Sequence, residues 1–315
     1  MLSLFLKGEI IMIKEKSCGA VIYKIINNQY YFLIEKMKRG HFSIPKGHVE
    51  KEETELQTAY REIKEETNLD VIIDDSFRQV STYSPYEGCL KDVVFFVAKT
   101  ISDDIVNQEC EVSDIYFYPF DKAYKILTHQ SDKEVLLKAY LYLLMNNSKR
   151  IIIIGSPGSG KSYLSPYIAN KTKIKLHHLD NMYWFGNWNH ISTKELYDKV
   201  EEVMKDEKWI IDGHFASTIE QRISNADTII YFNLPGITCV NGVKDRIKNH
   251  PIRDDMPSTC IETELDPEFK TCMLNFRKNN NHKLQKLFKQ YPSNLLTITS
   301  KKMLHTIVKY LKDGE

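Results

Sequence analysis

Gly47-His48-Val49-Glu50-Lys51-Glu52-Glu53, followed after seven residues by Arg61-Glu62-Ile63-Lys64-Glu65-Glu66-Thr67-Asn68-Leu69, concentrates charge in an unusual way. Residues Thr54–Thr67 read as a helix, because Leu56, Ala59, Tyr60 and Ile63 recur at three-and-four spacing while the carboxylates fall on other faces. Glu62, Glu65 and Glu66 then crowd one edge of a turn, where each like-charge pair costs roughly a few tenths of a kcal/mol on an isolated helix. A divalent cation with oxygen ligands reverses the sign of that cost. Magnesium suits the chemistry, since it takes a few carboxylates together with waters and substrate phosphates.

On the N-terminal side, Cys18-Gly-Ala-Val-Ile-Tyr and Tyr30-Tyr-Phe-Leu-Ile, broken at Asn27-Asn28, read as two strands joined by a tight turn. Beyond the charged stretch come β-rich runs at 77–83, 92–99 and 112–118, then a helical stretch at 132–145. This half reads as an α+β domain with mixed strands. The polar segment Asn146-Asn147-Ser148-Lys149-Arg150 separates it from a different pattern, in which apolar runs at 151–154, 176–179, 209–211, 228–232 and 295–298 alternate with helices. Such alternation predicts βαβ units and a parallel sheet flanked by helices. The expected domains are 13–147 and 149–315, giving a two-domain α/β chain.

The bulk composition agrees with a globular chain of two domains, at 315 residues with 42% apolar and 27% charged. Lys plus Arg (43) nearly cancels Asp plus Glu (42), so no overall field draws the chain to nucleic acid or a membrane surface, and bound anions must be held locally. The six cysteines form no C-x-x-C pair and read as reduced thiols. No run is long and apolar enough to span a bilayer, and residues 1–6 are too short for a signal-peptide core, so the cytoplasm is the expected compartment. Residues 1–11 read as an extension ahead of the first strand.

The charged stretch resembles the Nudix box, G-x5-E-x7-R-E-U-x-E-E-x-G-U with U apolar, at every position but one, where Asn68 stands for the final glycine. Asn tolerates the left-handed conformation, so the turn after the helix is expected to survive. The resemblance implies an α/β/α sandwich with a mixed sheet. It also implies a magnesium (or manganese) site made by Glu65, Glu66 and the Gly47 carbonyl, with Glu62 as ligand or general base. Arg61 would hold the carboxylates through its planar fork. A later carboxylate, Glu111 or its competitor Glu109, would complete the catalytic set. Lys46 with its neighbours Phe42–Glu50, and Cys18-Gly19-Ala20-Val21 upstream, resemble the asymmetrical bis(5'-nucleosyl)-tetraphosphatases over most of 13–145. That likeness implies adenine stacking on Tyr83, a phosphate contact from Lys91, and hydrolysis of diadenosine tetraphosphate to ATP and AMP. Enzymes that trim RNA 5' ends are the alternative substrate class.

In the second half, Gly155-Ser156-Pro157-Gly158-Ser159-Gly160-Lys161-Ser162 follows a strand and opens a helix, the setting a P-loop requires. Gly155, Gly158, Ser159 and Gly160 would turn backbone amides onto phosphate, Lys161 would reach the β/γ-phosphates of ATP, and Ser162 would hold magnesium. Leu179-Asp180-Asn181-Met182-Tyr183-Trp184, Trp209–Gly213, Arg222 and Arg253-Asp254-Asp255-Met256 resemble small P-loop kinases, in particular the FlaR-like topology modulation proteins. The likeness implies Asp180 facing a phosphate acceptor, Asp212 and Gly213 nearby, and Arg253, with Arg246, on the transferring phosphate. Trp184 and Trp188 are candidates for the acceptor pocket. Asn233 stands where many P-loop proteins carry an acid, a role left to Asp180 or Asp212. The competing readings are a nucleotide sensor with a non-cutting first domain and a P-loop switch, and a nucleic-acid-associated second half. The intact Glu62, Glu65 and Glu66 favour catalysis over sensing.

Overall fold

In a computed structural model that describes residues 13–106, 111–249 and 253–313, the chain divides into two compact units. The described residues up to Tyr142, apart from Asn27–Gln29, form the first, and those from Leu143 onward the second. The expected extension at residues 1–11 lies outside the described residues, as does Cys110.

The first unit runs β1 (Ile13–Ile26), β2 (Gln29–Met37), β3 (Phe42–Ser43), β4 (Lys46–His48), α1 (Glu55–Thr67), β5 (Val71–Tyr83), β6 (Cys89–Thr100), β7 (Val112–Pro119), α2 (Phe120–Ile126) and α3 (Gln130–Asn147), the last crossing into the second unit. Its mixed sheet follows the path β3-β2-β1-β6-β5, with β4 on β1 and β7 on β2. β1 and β6 pair in parallel, Cys18 opposite Val94 and Ala20 opposite Phe96. Both strands are buried without alternation, over 17–22 and 93–98, as strands covered on both faces must be. On one face Ala59 and Ile63 of α1 pack with Cys18, Ala20, Ile22, Leu33, Val94 and Phe96. Phe32, next to Leu33, therefore points to the other face, where its ring meets Tyr140 edge-on at 5.5 Å and Tyr140 stacks on Phe120 at 4.3 Å. Asn27 and Asn28, at φ 50° and 63°, make the turn from β1 to β2, a conformation that suits a two-residue hairpin.

The second unit runs β8 (Arg150–Gly155), α4 (Lys161–Thr172), β9 (Leu176–His178), α5 (Leu179–Tyr183), β10 (Trp184–Phe185), β11 (Asn189–His190), α6 (Thr193–Met204), β12 (Trp209–Asp212), α7 (Ile219–Asn225), β13 (Thr228–Phe232), α8 (Gly236–Asn249), α9 (Pro267–Gln290), β14 (Asn294–Ile298) and α10 (Lys301–Asp313). Five strands form a sheet in the order β14-β13-β8-β12-β9, every pairing parallel. Ile152, Ile154, Ile211, Ile229 and Tyr231 face a core shared with α6, α7 and α9. Ile151, Ile153, Ile210 and Ile230 alternate to the opposite face, where α4 and α10 lie.

Two expectations are corrected. Tyr60 does not join Ala59 and Ile63 in the core but is 44% exposed, because the buried stripe of α1 is narrower than its apolar sequence. The run 176–179 ends its strand at His178, and Leu179 already opens α5. Cys18, Cys89, Cys239, Cys260 and Cys272 are free thiols.

Candidate functional site

Helix α1 starts where it does because Thr54 and Gln57 form a reciprocal cap. Thr54 Oγ1 accepts from Gln57 N at 3.3 Å and Gln57 Oε1 accepts from Thr54 N at 2.8 Å. It stops at Asn68, whose φ of 61° is left-handed and whose N–H donates to Lys64 O. The glycine-to-asparagine departure therefore leaves the terminating turn intact. Between these ends Arg61, Glu62, Glu65 and Glu66 line the sides of α1.

Arg61 organises this surface. Its Nε and Nη2 fork onto Glu53 at 2.7 and 2.9 Å, Nη1 donates to Glu62 at 2.8 Å and Glu65 at 3.1 Å, and Nη2 also reaches His48 O at 2.9 Å. The Arg61 contact holds the Glu53 carboxyl down to about 2. Gly47 lies flat on Glu62, so close that a Cβ there would come within 2.0–2.1 Å of the carboxylate. Glu66 is buried and accepts the Lys46 N–H at 3.0 Å.

The composition and spacing of the charged stretch do not reveal Glu35. It sits on β2, 1% exposed, with Oε1 lacking a hydrogen-bond partner. Burial holds both Glu35 and Glu66 well above the ordinary carboxylate range; Lys46 offsets part of the effect, while Glu35 adds to it at Glu66, Glu111 at Glu35, and Glu62 at both. Glu62 is raised too, by burial against the pull of Arg61. Lys46 sends its ammonium to Ser43 Oγ and to Ile44 O at 3.1 Å. Glu111 thus belongs to this electrostatic neighbourhood, while Glu109 lies outside the described residues. Among the described residues no three His, Cys, Asp or Glu side chains converge as a ready-made metal cage. In this conformation Arg61 is the countercharge of Glu53, Glu62 and Glu65. A donor set of crowded carboxylates beside a glycine that leaves room for nothing but Glu62 nevertheless has the chemistry of a hard divalent cation.

Tyr83, at the end of β5 and 39% exposed, is the cross-strand partner of Lys91 on β6, so the two expected substrate contacts stand side by side. Lys91 Nζ lies 3.1 Å from His48 Nε2 and 4.0 Å from Glu15, whose other oxygen accepts the Tyr86 hydroxyl at 2.8 Å. Burial lowers the Lys91 ammonium despite Glu15.

In the second unit, the loop 155–160 leaves the carboxyl end of β8, which lies between β12 and β13, the point where the strand order reverses. Open α/β sheets bind ligands in such crevices. Glycine is required here: Gly155, Gly158 and Gly160 have φ of 147°, 68° and 106°, and a Cβ on Gly158 would strike Cys239 O at 2.2 Å. Lys161 Nζ bonds Ser156 O at 3.0 Å, and burial lowers its ammonium although Asp212 and Asp180 oppose this. Asp212 is buried at the end of β12, where its Oδ2 takes Ser165 Oγ at 3.0 Å and His178 Nδ1 at 3.2 Å, while Oδ1 has no partner. Gly213, at φ 132°, sits against Leu179. Asp180 faces Arg253 at 3.5 Å. Arg222 is fully buried and donates to Thr218 O and Oγ1, Gly213 O and Phe215 O, which makes it a clamp on the loop after β12. Arg246 does not stand free but forks onto Glu262. Trp184 and Trp188 meet edge-on at 5.5 Å.

Residues 17–140 match the NUDIX domain. The asymmetrical bis(5'-nucleosyl)-tetraphosphatase of Sus scrofa is 30% identical over 140 residues, which are 41% of this chain and 95% of that protein. The protein of the same description from Caenorhabditis elegans is 29% identical over 133 residues, covering 41% of this chain and 96% of its own length. A crystal structure of a C. elegans Ap4A hydrolase binary complex is 29% identical, covers 41% of this chain and 97% of that one, and has a TM-score of 0.39.

Proposed function

Because this chain belongs to the Nudix family through residues 17–140, we propose that its first unit hydrolyses a pyrophosphate bond in a nucleotide, with diadenosine tetraphosphate cut to ATP and AMP. The observation that carries this reading is the Arg61 fork, which gathers Glu53, Glu62 and Glu65 beside Gly47 and the buried Glu66. The choice of substrate follows the similar asymmetrical bis(5'-nucleosyl)-tetraphosphatases. Glu62, Glu65, Glu66 and the Gly47 carbonyl would hold magnesium or manganese, which when bound lowers the pKa of water and steadies charge on phosphate oxygens. Arg61 keeps the carboxylates at one edge of α1. Lys46 and Lys91 meet phosphate, Tyr83 stacks a base, and Glu62 or Glu111 takes up a proton. Chromatography of products from a nucleotide panel tests the assignment: equimolar ATP and AMP from diadenosine tetraphosphate support it. Preference for triphosphorylated RNA ends would move the substrate to the alternative class.

Activity is expected to require the divalent ion and to climb into the mildly alkaline range. Burial and repulsion favour the protonated forms of Glu35, Glu62 and Glu66, so the cation must compete with protons, and raising the pH removes that competition. A pH–rate profile with and without excess chelator measures both. Undiminished turnover in chelator would refute the metal assignment.

Tyr83→Ala is expected to raise KM for adenine dinucleotides roughly tenfold with little change in kcat, since a stacking ring binds ground and transition states alike. An unchanged KM would remove Tyr83 from the base platform.

For the second unit the proposed role is binding of ATP and magnesium at 155–162, followed by phosphoryl transfer to a small molecule or nucleotide. The left-handed glycines, the desolvated Lys161 and the position at the reversal of strand order support it.

A further inference from the structure

Asn233 follows β13 and carries no charge; its N–H donates to Ile298 O at 2.9 Å and its Oδ1 faces Asn281 Nδ2 at 3.5 Å. Neither acid that the sequence offers in its place receives the Ser162 hydroxyl: Asp180 faces Arg253, and Asp212 takes Ser165 and His178 on Oδ2. The carboxylate that receives the Ser162 hydroxyl is Asp255, at 2.5 Å. We propose that Asp255 is the positioning residue that orients Ser162 toward a divalent cation carried by a nucleoside triphosphate in the 155–162 loop. The inference rests on the nucleotide-binding reading of that loop.

A serine hydroxyl has one proton and two lone pairs. If a lone pair is to face a cation, the proton must be given to an acceptor on the other side, and a carboxylate acceptor makes the oxygen a better donor of electron density. Ser162 has that acceptor already. Asp255 cannot turn away, because Arg253 Nε and Nη2 grip its two oxygens at 2.8 and 2.5 Å. Arg253 is held in turn by Asp180 at 3.5 Å and by Glu262 at 3.7 Å, and Glu262 is forked by Arg246. The Arg253 guanidinium also supplies the countercharge for the Asp255 carboxylate.

Two further atoms point to a ligand at this place. Ser159 is completely buried with its Oγ unpartnered, and Asp212 is 3% exposed with Oδ1 unpartnered, although it lies close enough to Lys161 to act on its charge. Buried polar atoms without partners are uncommon and call for an explanation. A phosphate with its cation and waters between Lys161 and Ser162 would supply partners to both.

The test uses the full chain carrying Glu66→Gln, so that the first unit does not consume nucleotide, and measures ATP affinity calorimetrically in saturating magnesium and in excess chelator. Heat that survives Lys161→Ala is assigned elsewhere and subtracted. The parent is expected to bind ATP more tightly with magnesium. Asp255→Ala is expected to lose roughly tenfold of that magnesium-dependent gain while its affinity in chelator stays within about threefold. Asp255→Asn, which keeps an acceptor oxygen without the charge and guards against a folding defect in the alanine variant, is expected to fall between the two. A parallel loss in both media, or a magnesium gain that both variants retain, would overturn the proposal. Absence of any Lys161-dependent binding in the parent would instead overturn the nucleotide reading on which it stands.

Discussion

Gly47→Ala is expected to fold normally and yet lose pyrophosphate hydrolysis by about a hundredfold or more. The backbone there needs no left-handed conformation, but the new Cβ would fall 2.0–2.1 Å from the carboxylate of Glu62. Those atoms are the end of a flexible side chain, so Glu62 can swing aside at small cost to stability. What is lost is the carboxylate's place beside Arg61 and Glu66. Displacing one oxygen ligand or base from such a cluster removes several kcal/mol of transition-state stabilisation, and about 2.7 kcal/mol already makes a hundredfold. Gly19→Ala is the control for a different outcome, because its Cβ would meet Pro45 O at 2.0 Å and the Lys46 backbone at 2.8 Å, where no side chain can yield. That variant should unfold at a lower temperature. Melting curves and product formation from diadenosine tetraphosphate separate the two cases, and a Gly47→Ala enzyme within a few-fold of the parent would remove Glu62 from the reaction.

Lys161→Ala is expected to weaken ATP binding by the second unit at least tenfold and to leave hydrolysis by the first unit within about twofold, while Glu66→Gln does the reverse. A phosphate contact from a desolvated ammonium is a charge-assisted interaction of roughly 1.5–3 kcal/mol, enough for a factor of ten to a hundred. The amide introduced by Glu66→Gln keeps the shape of the side chain and an acceptor for the Lys46 N–H, so the loss of hydrolysis, about a hundredfold, reports the charge alone. Each unit has its own core, Ala59 and Ile63 against the mixed sheet in one and Ile152, Ile211 and Tyr231 in the other, so the two sites are expected to fail independently. Parallel ATP titration and product assays on both variants decide the matter. If either substitution abolished both activities in a protein that still melts cooperatively, the two-site reading would be wrong.

Much of this was legible from local rules. The start of α1 follows from Thr54 and Gln57 three residues apart, and its end from an asparagine able to adopt φ 61°. The positive φ of Gly155, Gly158 and Gly160 is a local demand that glycine meets, whereas the close approach of Cys239 O to Gly158 comes from distant chain. The mixed and the parallel sheets were foreshadowed by the change from paired strands to alternating strands and helices near residue 148. Among the described residues no helix is long and apolar enough to cross a membrane.

The rest depended on chain segments meeting from afar. Glu35 reads in sequence as the polar end of an apolar strand, and only coverage of the sheet on both faces makes it a buried acid raised together with Glu66. Arg222 looks like a surface helix charge until the loop 213–218 folds its carbonyls onto it. Ser162 and Asp255 are 93 residues apart, and no spacing rule connects them. Sequence therefore determined which groups carry charge and which backbone positions must turn, because caps, glycines and helical periodicity act within a turn or two. Which carboxylate is buried, which is neutralised by arginine and which receives a hydroxyl was decided only by tertiary packing, because desolvation and Coulomb interaction depend on distance through space.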